Sequence, residues 1–207
     1  FPPVPERDDF DTPELGLQWQ TLRVPADDSW LSLTERPGHL RLRARESLYS
    51  RMDQSFVARR LQAHRSESET CLEFSPENPQ QSAGLICFYD TDKFYYLRVT
   101  WDEQKGACLG ISVSDKGRYS EIREVEIPVP TGAPIRLKAC IDCSTLRFSY
   151  ALEGQPWRDI GPALDASKLA DEYWGEGEHT GSFVGICAQD LSGKKAIADF
   201  DYFTYRE

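Results

Sequence analysis

No stretch of this chain approaches the run of about 18 apolar residues that a membrane-spanning helix needs, so nothing in it reads as a membrane span. Histidine is scarce. His39, His64 and His179 are scattered, and none forms the second ligand pair that a zinc site would require beside Cys140-x-x-Cys143. Catalytic signatures are missing as well. There is no Gly-x-Ser-x-Gly after a strand, and no Gly-x-x-x-x-Gly-Lys phosphate loop. Gly175-x-Gly177-x-x-x-Gly181 falls one residue off a dinucleotide fingerprint and stands before a strand, so it reads as a flexible loop. Basic residues are outnumbered, 24 against 34 acidic, and the net charge of −10 repels phosphate backbones, which excludes nucleic acid as a partner. No like-charge run is long enough to be a tail; Asp27-Asp28 is typical. No repeat of fixed period argues for a propeller or solenoid.

What is present is β-structure. Residues 39–44 alternate, with Leu40, Leu42 and Ala44 on one face and Arg41 and Arg43 on the other. Residues 55–62 and 69–74 read the same way. Residues 83–89 and 94–101 flank Asp90-Thr91-Asp92-Lys93 and predict a hairpin. Further strands are expected over 108–113, 120–129, 135–141, 146–152, 183–189 and 196–205, with turn chemistry between them. About a dozen short strands at this spacing predict an all-β, two-sheet antiparallel β-sandwich or jelly roll. One short helix is expected near 165–174, with Asp165 as N-cap and Leu169 and Tyr173 on one face.

The 207 residues suit one such domain, which can bury a core without staples. Most of the six cysteines (Cys71, Cys87, Cys108, Cys140, Cys143, Cys187) lie in apolar runs such as Leu85-Ile86-Cys87-Phe88 and read as small buried hydrophobes. Cys140-x-x-Cys143 spans a strand end and a turn, not the strand-to-helix junction of a redox motif. Free thiols and the lack of a legible secretory signal give a cytoplasmic expectation. Phe1-Pro2-Pro3-Val4-Pro5 is stiff, so residues 1–7 are expected to be a linker from a missing N-terminal domain and 8–207 the sandwich. Asp9 and Asp11 near the start, and Asp199 and Asp201 near the end, would meet if the terminal strands pair, and are weak candidates for a structural calcium ion. A glycosidase needs two carboxyls across a sugar, and among 34 acidic residues adjacency in sequence identifies none.

Several ordered motifs then carry a resemblance. The run from Asp8-Asp9-Phe10-Asp11 to Gln18-Trp19-Gln20, Ser32 to Leu42, Gln54 to Gln62 and Ala83-Gly84-Leu85 is similar to the C-terminal domain of family 43 glycoside hydrolases, the β-xylosidase and arabinofuranosidase type. So are Thr180-Gly181-Ser182-Phe183-Val184-Gly185, Gln189 to Gly193 and Ala198-Asp199-Phe200-Asp201-Tyr202-Phe203. The resemblance implies a concanavalin A-like sandwich, preceded by a five-bladed catalytic propeller that is not in this sequence. It therefore implies no catalytic residue here. It further implies that the sandwich packs on the propeller and that a loop before the Thr-Gly-x-Phe-Val-Gly motif helps close the active-site mouth over xylo-oligosaccharide-type sugars. On that loop stand Trp174, His179 and Thr180. Where the family typically has phenylalanine this chain has His179, which can hydrogen-bond and titrate as well as pack. Two alternatives stay open. One is a lectin-like carbohydrate-binding module that uses Phe88, Tyr89, Phe94, Tyr95, Tyr96 and Trp101, although alternation should bury half of these. The other is a purely structural domain that stabilises the propeller or a homo-oligomer.

Overall fold

The structure, a computed structural model, describes residues 4–173 and 179–207. Among these residues the strands are β1 Arg7–Asp8, β2 Gln20–Thr21, β3 Leu31–Ser32, β4 Leu40–Arg43, β5 Ser55–Arg60, β6 Arg65–Phe74, β7 Gln81–Asp90 and β8 Lys93–Asp102. They continue as β9 Gly106–Asp115, β10 Arg118–Glu121, β11 Ile127–Pro128, β12 Ile135–Asp142, β13 Thr145–Leu152, β14 Arg158–Asp165, β15 Phe183–Asp190 and β16 Ile197–Arg206. Sheet A runs β14-β13-β12-β6-β16-β4-β3, with β1 also on β16; sheet B runs β10-β9-β8-β7-β15-β5-β2, with β11 also on β9. The pairs are antiparallel throughout, as in β6 with β12 (Leu72↔Ile135) and β7 with β15 (Ile186↔Leu85). This is the expected two-sheet sandwich.

Alternation places one face of each sheet in the shared core. Leu40, Leu42, Leu72 and Phe200 from sheet A meet Leu85, Leu97, Val184 and Ile186 from sheet B, all fully buried. The outer face of sheet B is buried too. Phe56, Ile86, Phe88, Phe94 and Tyr96 form a second cluster, covered by Leu48 and Tyr49 from the segment between β4 and β5. Gly185 sits where a Cβ would come within 2.2 Å of the Val57 carbonyl oxygen, so this strand approaches β5 only with glycine there.

The chain termini are stapled together. β1 pairs with β16 through Arg7↔Thr204 and Asp8↔Phe203, so Arg7, at the end of the expected linker 1–7, is part of sheet A. The Asp8 carboxylate accepts from the Phe10 amide (3.0 Å), Gln18 Nε2 (3.1 Å) and Trp19 Nε1 (2.7 Å). Trp19 in turn stands edge-on to Phe203, ring centroids 5.0 Å apart. The opening motif is thus a hydrogen-bonded clasp on the last strand. The Asp190 turn is built likewise: its carboxylate accepts from Gln81 Nε2 (3.0 Å) and from the amides of Ser192 (2.8 Å) and Ala196 (2.9 Å).

Three expectations need correction. The helix near 165–174 is one 3-10 turn, Ala166–Leu169, with the Asp165 side chain accepting from the Ser167 amide as its N-cap. The chain returns to extended backbone at Ala170, so Leu169 enters the core while Tyr173 turns to Asp115. The strand expected over 120–129 is broken. β9 pairs with β10 (Glu121↔Ser112) and again with β11 (Ile127↔Leu109), and the surplus residues form a 3-10 turn, Arg123–Val125. Finally, β14 goes unannounced because it is an edge strand with Gly161 and Pro162 at its centre and a bulge against β13.

Candidate functional site

The turns at one end of the sandwich bring together residues far apart in sequence. The β5–β6 and β12–β13 turns close there, Arg65 facing Asp142 across β6 and β12. The β7–β8 hairpin, the end of β14 and the start of β15 lie at the same end. From it project both stems of the segment 174–178. Trp174, expected on the closing loop, lies outside the described residues. His179 and Thr180 are described, and both are exposed.

The stems are held by an anchor that sequence reasoning missed. Asp171 Oδ1 accepts from the hydroxyl of Tyr89 at 2.5 Å and from the Gly181 amide at 3.3 Å, so one carboxylate ties the incoming stem to the outgoing one. Tyr89 is 2% exposed and comes up from the core at the end of β7, which fixes the anchor to the sheet. Its ring carries Lys93 Nζ on its face, 3.8 Å from the centroid. The hydrogen bond from Tyr89 holds the Asp171 carboxyl below its ordinary value against the opposing cost of desolvation, and the Gly181 amide and the nearby His179 and Lys93 act in the same direction as Tyr89. His179 is thereby placed within electrostatic reach of Asp171.

The incoming stem has a second anchor. Tyr173 donates to Asp115 Oδ1 at 2.9 Å, Lys168 Nζ lies 2.5 Å from the other oxygen, and Lys116 covers the Tyr173 ring at 4.5 Å. Lys168 holds the Asp115 carboxyl below the usual carboxylate range. On the outgoing side Arg60 donates to the Thr180 carbonyl and stacks on Phe183 at 4.7 Å, and the Ser182 hydroxyl donates to the Leu169 carbonyl at 2.5 Å. The site is therefore a pair of fixed stems, rich in hydrogen-bonding groups, that presents His179 and Thr180 to solvent.

The calcium candidates are placed differently. The Asp199 carboxylate is taken by Arg41, with Nε at 2.7 Å and Nη2 at 2.8 Å, and by Arg36 Nη1 at 2.9 Å. Asp9 pairs with Arg7 at 2.6 Å, Asp11 is exposed, and Asp201 is half-buried. Among the described residues no group of three or more histidine, cysteine or acidic side chains could hold a metal ion. The terminal strands do pair, but arginine meets two of the four candidate carboxylates, Asp9 and Asp199.

The aromatic platform of the lectin-like alternative is not on the surface. Phe88, Tyr89, Phe94, Tyr95 and Tyr96 are all buried, and only Trp101 is half-exposed. All six cysteines are free, with Cys140 and Cys143 exposed and the others buried. Burial pushes the Cys87 thiol up to about 12 and the Cys71 thiol up to about 11, which leaves both as inert packing groups. No helix among the described residues is long and apolar enough to cross a membrane.

Two antiparallel sheets with no closed barrel define a concanavalin A-like sandwich. The family model of the β-xylosidase C-terminal concanavalin A-like domain matches residues 7–206, so the chain belongs to that family. It is 44% identical over 202 residues to a putative β-xylosidase of Escherichia coli, covering 96% of this chain and 38% of that protein. It is 41% identical over 205 residues to a β-xylosidase of Bacillus subtilis, covering 98% and 38%. Among solved structures, a xylan β-1,4-xylosidase from Bacillus halodurans superposes with a TM-score of 0.98 at 48% identity, covering 100% of this chain and 40% of that one. The chain thus spans well under half the length of these relatives and corresponds to their C-terminal, non-catalytic part.

Proposed function

We propose that this sandwich is the accessory domain of a glycosidase acting on xylo-oligosaccharide-type or arabinoside substrates, packed on a catalytic domain that precedes it and helping to close that domain's active site. The observation that carries the reading is a coincidence of position. The chain enters along β1, where the Tyr205 amide donates to the Glu6 carbonyl at 2.7 Å, and so reaches the sandwich at the end that bears the loop stems. A domain preceding this chain would therefore be tethered at the end of the sandwich that carries His179 and Thr180. The pinned stems support a wall of fixed position, and the exposed His179 supports a polar contact to a sugar hydroxyl in place of a purely apolar one. The proposed setting is a reducing cytoplasm, in keeping with six unbridged thiols.

In the intact protein, His179→Ala is expected to raise KM for a nitrophenyl xyloside about fivefold, the equivalent of one ordinary hydrogen bond. Steady-state kinetics with wild-type values for both KM and kcat would remove His179 from the active-site wall.

A further inference from the structure

The end of the sandwich that carries the loop stems also holds an open groove of about 440 Å³. Ile141 and Leu169, both buried, form its floor. Leu61 and Ala63 from the β5–β6 turn and Ala166 and Ala170 from around the 3-10 turn form its walls. Leu61 and Ala166 also pack against the inter-sheet core, so the groove is the mouth of that core where the two sheets part. It is preformed. The Cys143 amide donates to the His64 carbonyl at 2.7 Å and the Ala166 amide to the Ser144 carbonyl at 2.8 Å, which ties the surrounding turns to one another. Arg65 and Asp142 beside it neutralise each other at 2.7 Å, so no uncompensated charge of that pair opposes an apolar occupant.

The groove adjoins the path of the incoming chain. The amide of Gln62, on its rim, donates at 2.9 Å to the hydroxyl of Tyr205, the residue whose own amide binds the Glu6 carbonyl. More than half the length of the relatives lies outside the region matched, and this region is their C-terminal part. A large domain joined to this entry point would be covalently held next to an apolar socket, and covalent attachment raises its effective concentration over that of a second copy of the chain. We infer that this groove receives an apolar side chain of the preceding domain, and that docking there sets where the loop stems stand against that domain's active site. The inference rests on the accessory role proposed above, which supplies the preceding domain. It adds the surface through which that domain is held.

Two native thiols test it in the intact protein. Cys143 rims the groove, whereas Cys140 faces outward from β12, and both are exposed on the sandwich itself. Under native labelling with iodoacetamide, read by peptide mass spectrometry, Cys143 is expected to react at least about tenfold more slowly than Cys140. Partial burial raises the Cys140 thiol, which slows its own labelling and so works against the expected difference. Equal rates, or protection of Cys143 that disappears when the protein is diluted to a monomer, would overturn the inference. A second variant probes the socket. Ala63 lies in a turn outside the core cluster, so Ala63→Arg should leave the melting temperature within a degree or two while restoring Cys143 labelling. If His179→Ala alters kinetics but Cys143 labels freely, the accessory role stands and the groove is not the dock. If Cys143 is protected but His179→Ala is silent, the dock stands and the closing loop does not.

Discussion

Asp171→Ala in the intact protein should raise KM for a short aryl xyloside about tenfold, more than any other single change at the exposed end of the sandwich. The reason is the double duty of one carboxylate. Its Oδ1 atom accepts from Tyr89 on the core side and from Gly181 on the outgoing stem, so alanine frees both stems at once. Hydrogen bonds to an ionised acceptor are the stronger kind, and losing two of them is enough for an effect of that order. Asp171→Asn keeps an acceptor oxygen and should recover most of the wild-type KM, whereas a merely structural loss would not distinguish the two variants. The carboxyl is held below its ordinary value, so its contribution is complete above the usual carboxylate range and is lost as pH falls through the lowered value. The KM difference between wild type and Asp171→Ala should therefore be flat from pH 6 to 8, a range that begins about two units above the titration of a free carboxylate. A difference that grows across this range would show that another group is responsible.

The largest effect on stability is expected at Asp199. Its side chain is 10% exposed and is bound by Arg36 and Arg41 at 2.7–2.9 Å, with Glu73 completing Arg36 and Glu35 completing Arg41. Burial by itself would raise this carboxyl, but the hydrogen bonds from Arg41 and Arg36 outweigh it and the group is held low. The sign then follows. A depressed folded value contributes stability above the unfolded pKa, and that contribution is lost as pH falls through the folded value. Asp199→Asn removes the charge and leaves two partly buried guanidinium groups short of a partner, at a cost of about 3 kcal/mol. Urea unfolding at pH 7 should show a midpoint lowered by roughly 1 M. Asp11→Asn, at an exposed carboxylate of the same terminal group, should stay within about 0.5 kcal/mol. Equal effects of the two substitutions would show that the Arg36–Asp199–Arg41 cluster is not a fixed network.

The sandwich was legible in the sequence because most of its strands bury one face against the other sheet, and alternation records that. The stretches that failed to announce themselves lack that signature. In the first half of β6, ahead of the expected 69–74, Ser66 and Ser68 are buried where apolar residues would have marked the face, and β14 buries only Ile160 fully. The aromatic set of β7 and β8 was legible as strand but not as closed surface. Half of it faces the core, and the other half is covered by Leu48 and Tyr49 from a segment with no strand pattern of its own. The charge on Asp199 was legible and its partners were not, since Arg36 and Arg41 are more than 150 residues away along the chain and reach it only through β4 pairing with β16. At the candidate site His179 and Thr180 stood beside a recognisable motif, whereas Asp171 carried no signal beyond its place before a glycine-rich segment. Its role exists only because β7 delivers the Tyr89 hydroxyl to the start of one stem.

The central claim is that one end of this sandwich faces the catalytic domain of the intact protein. Amide hydrogen exchange of the intact protein against the 207-residue chain tests it most directly. Added protection is expected in the intact protein at residues 61–64, 142–145 and 166–182, with the opposite turns near 103–105 and 153–156 unchanged. Protection at those opposite turns, or none at either end, would contradict it.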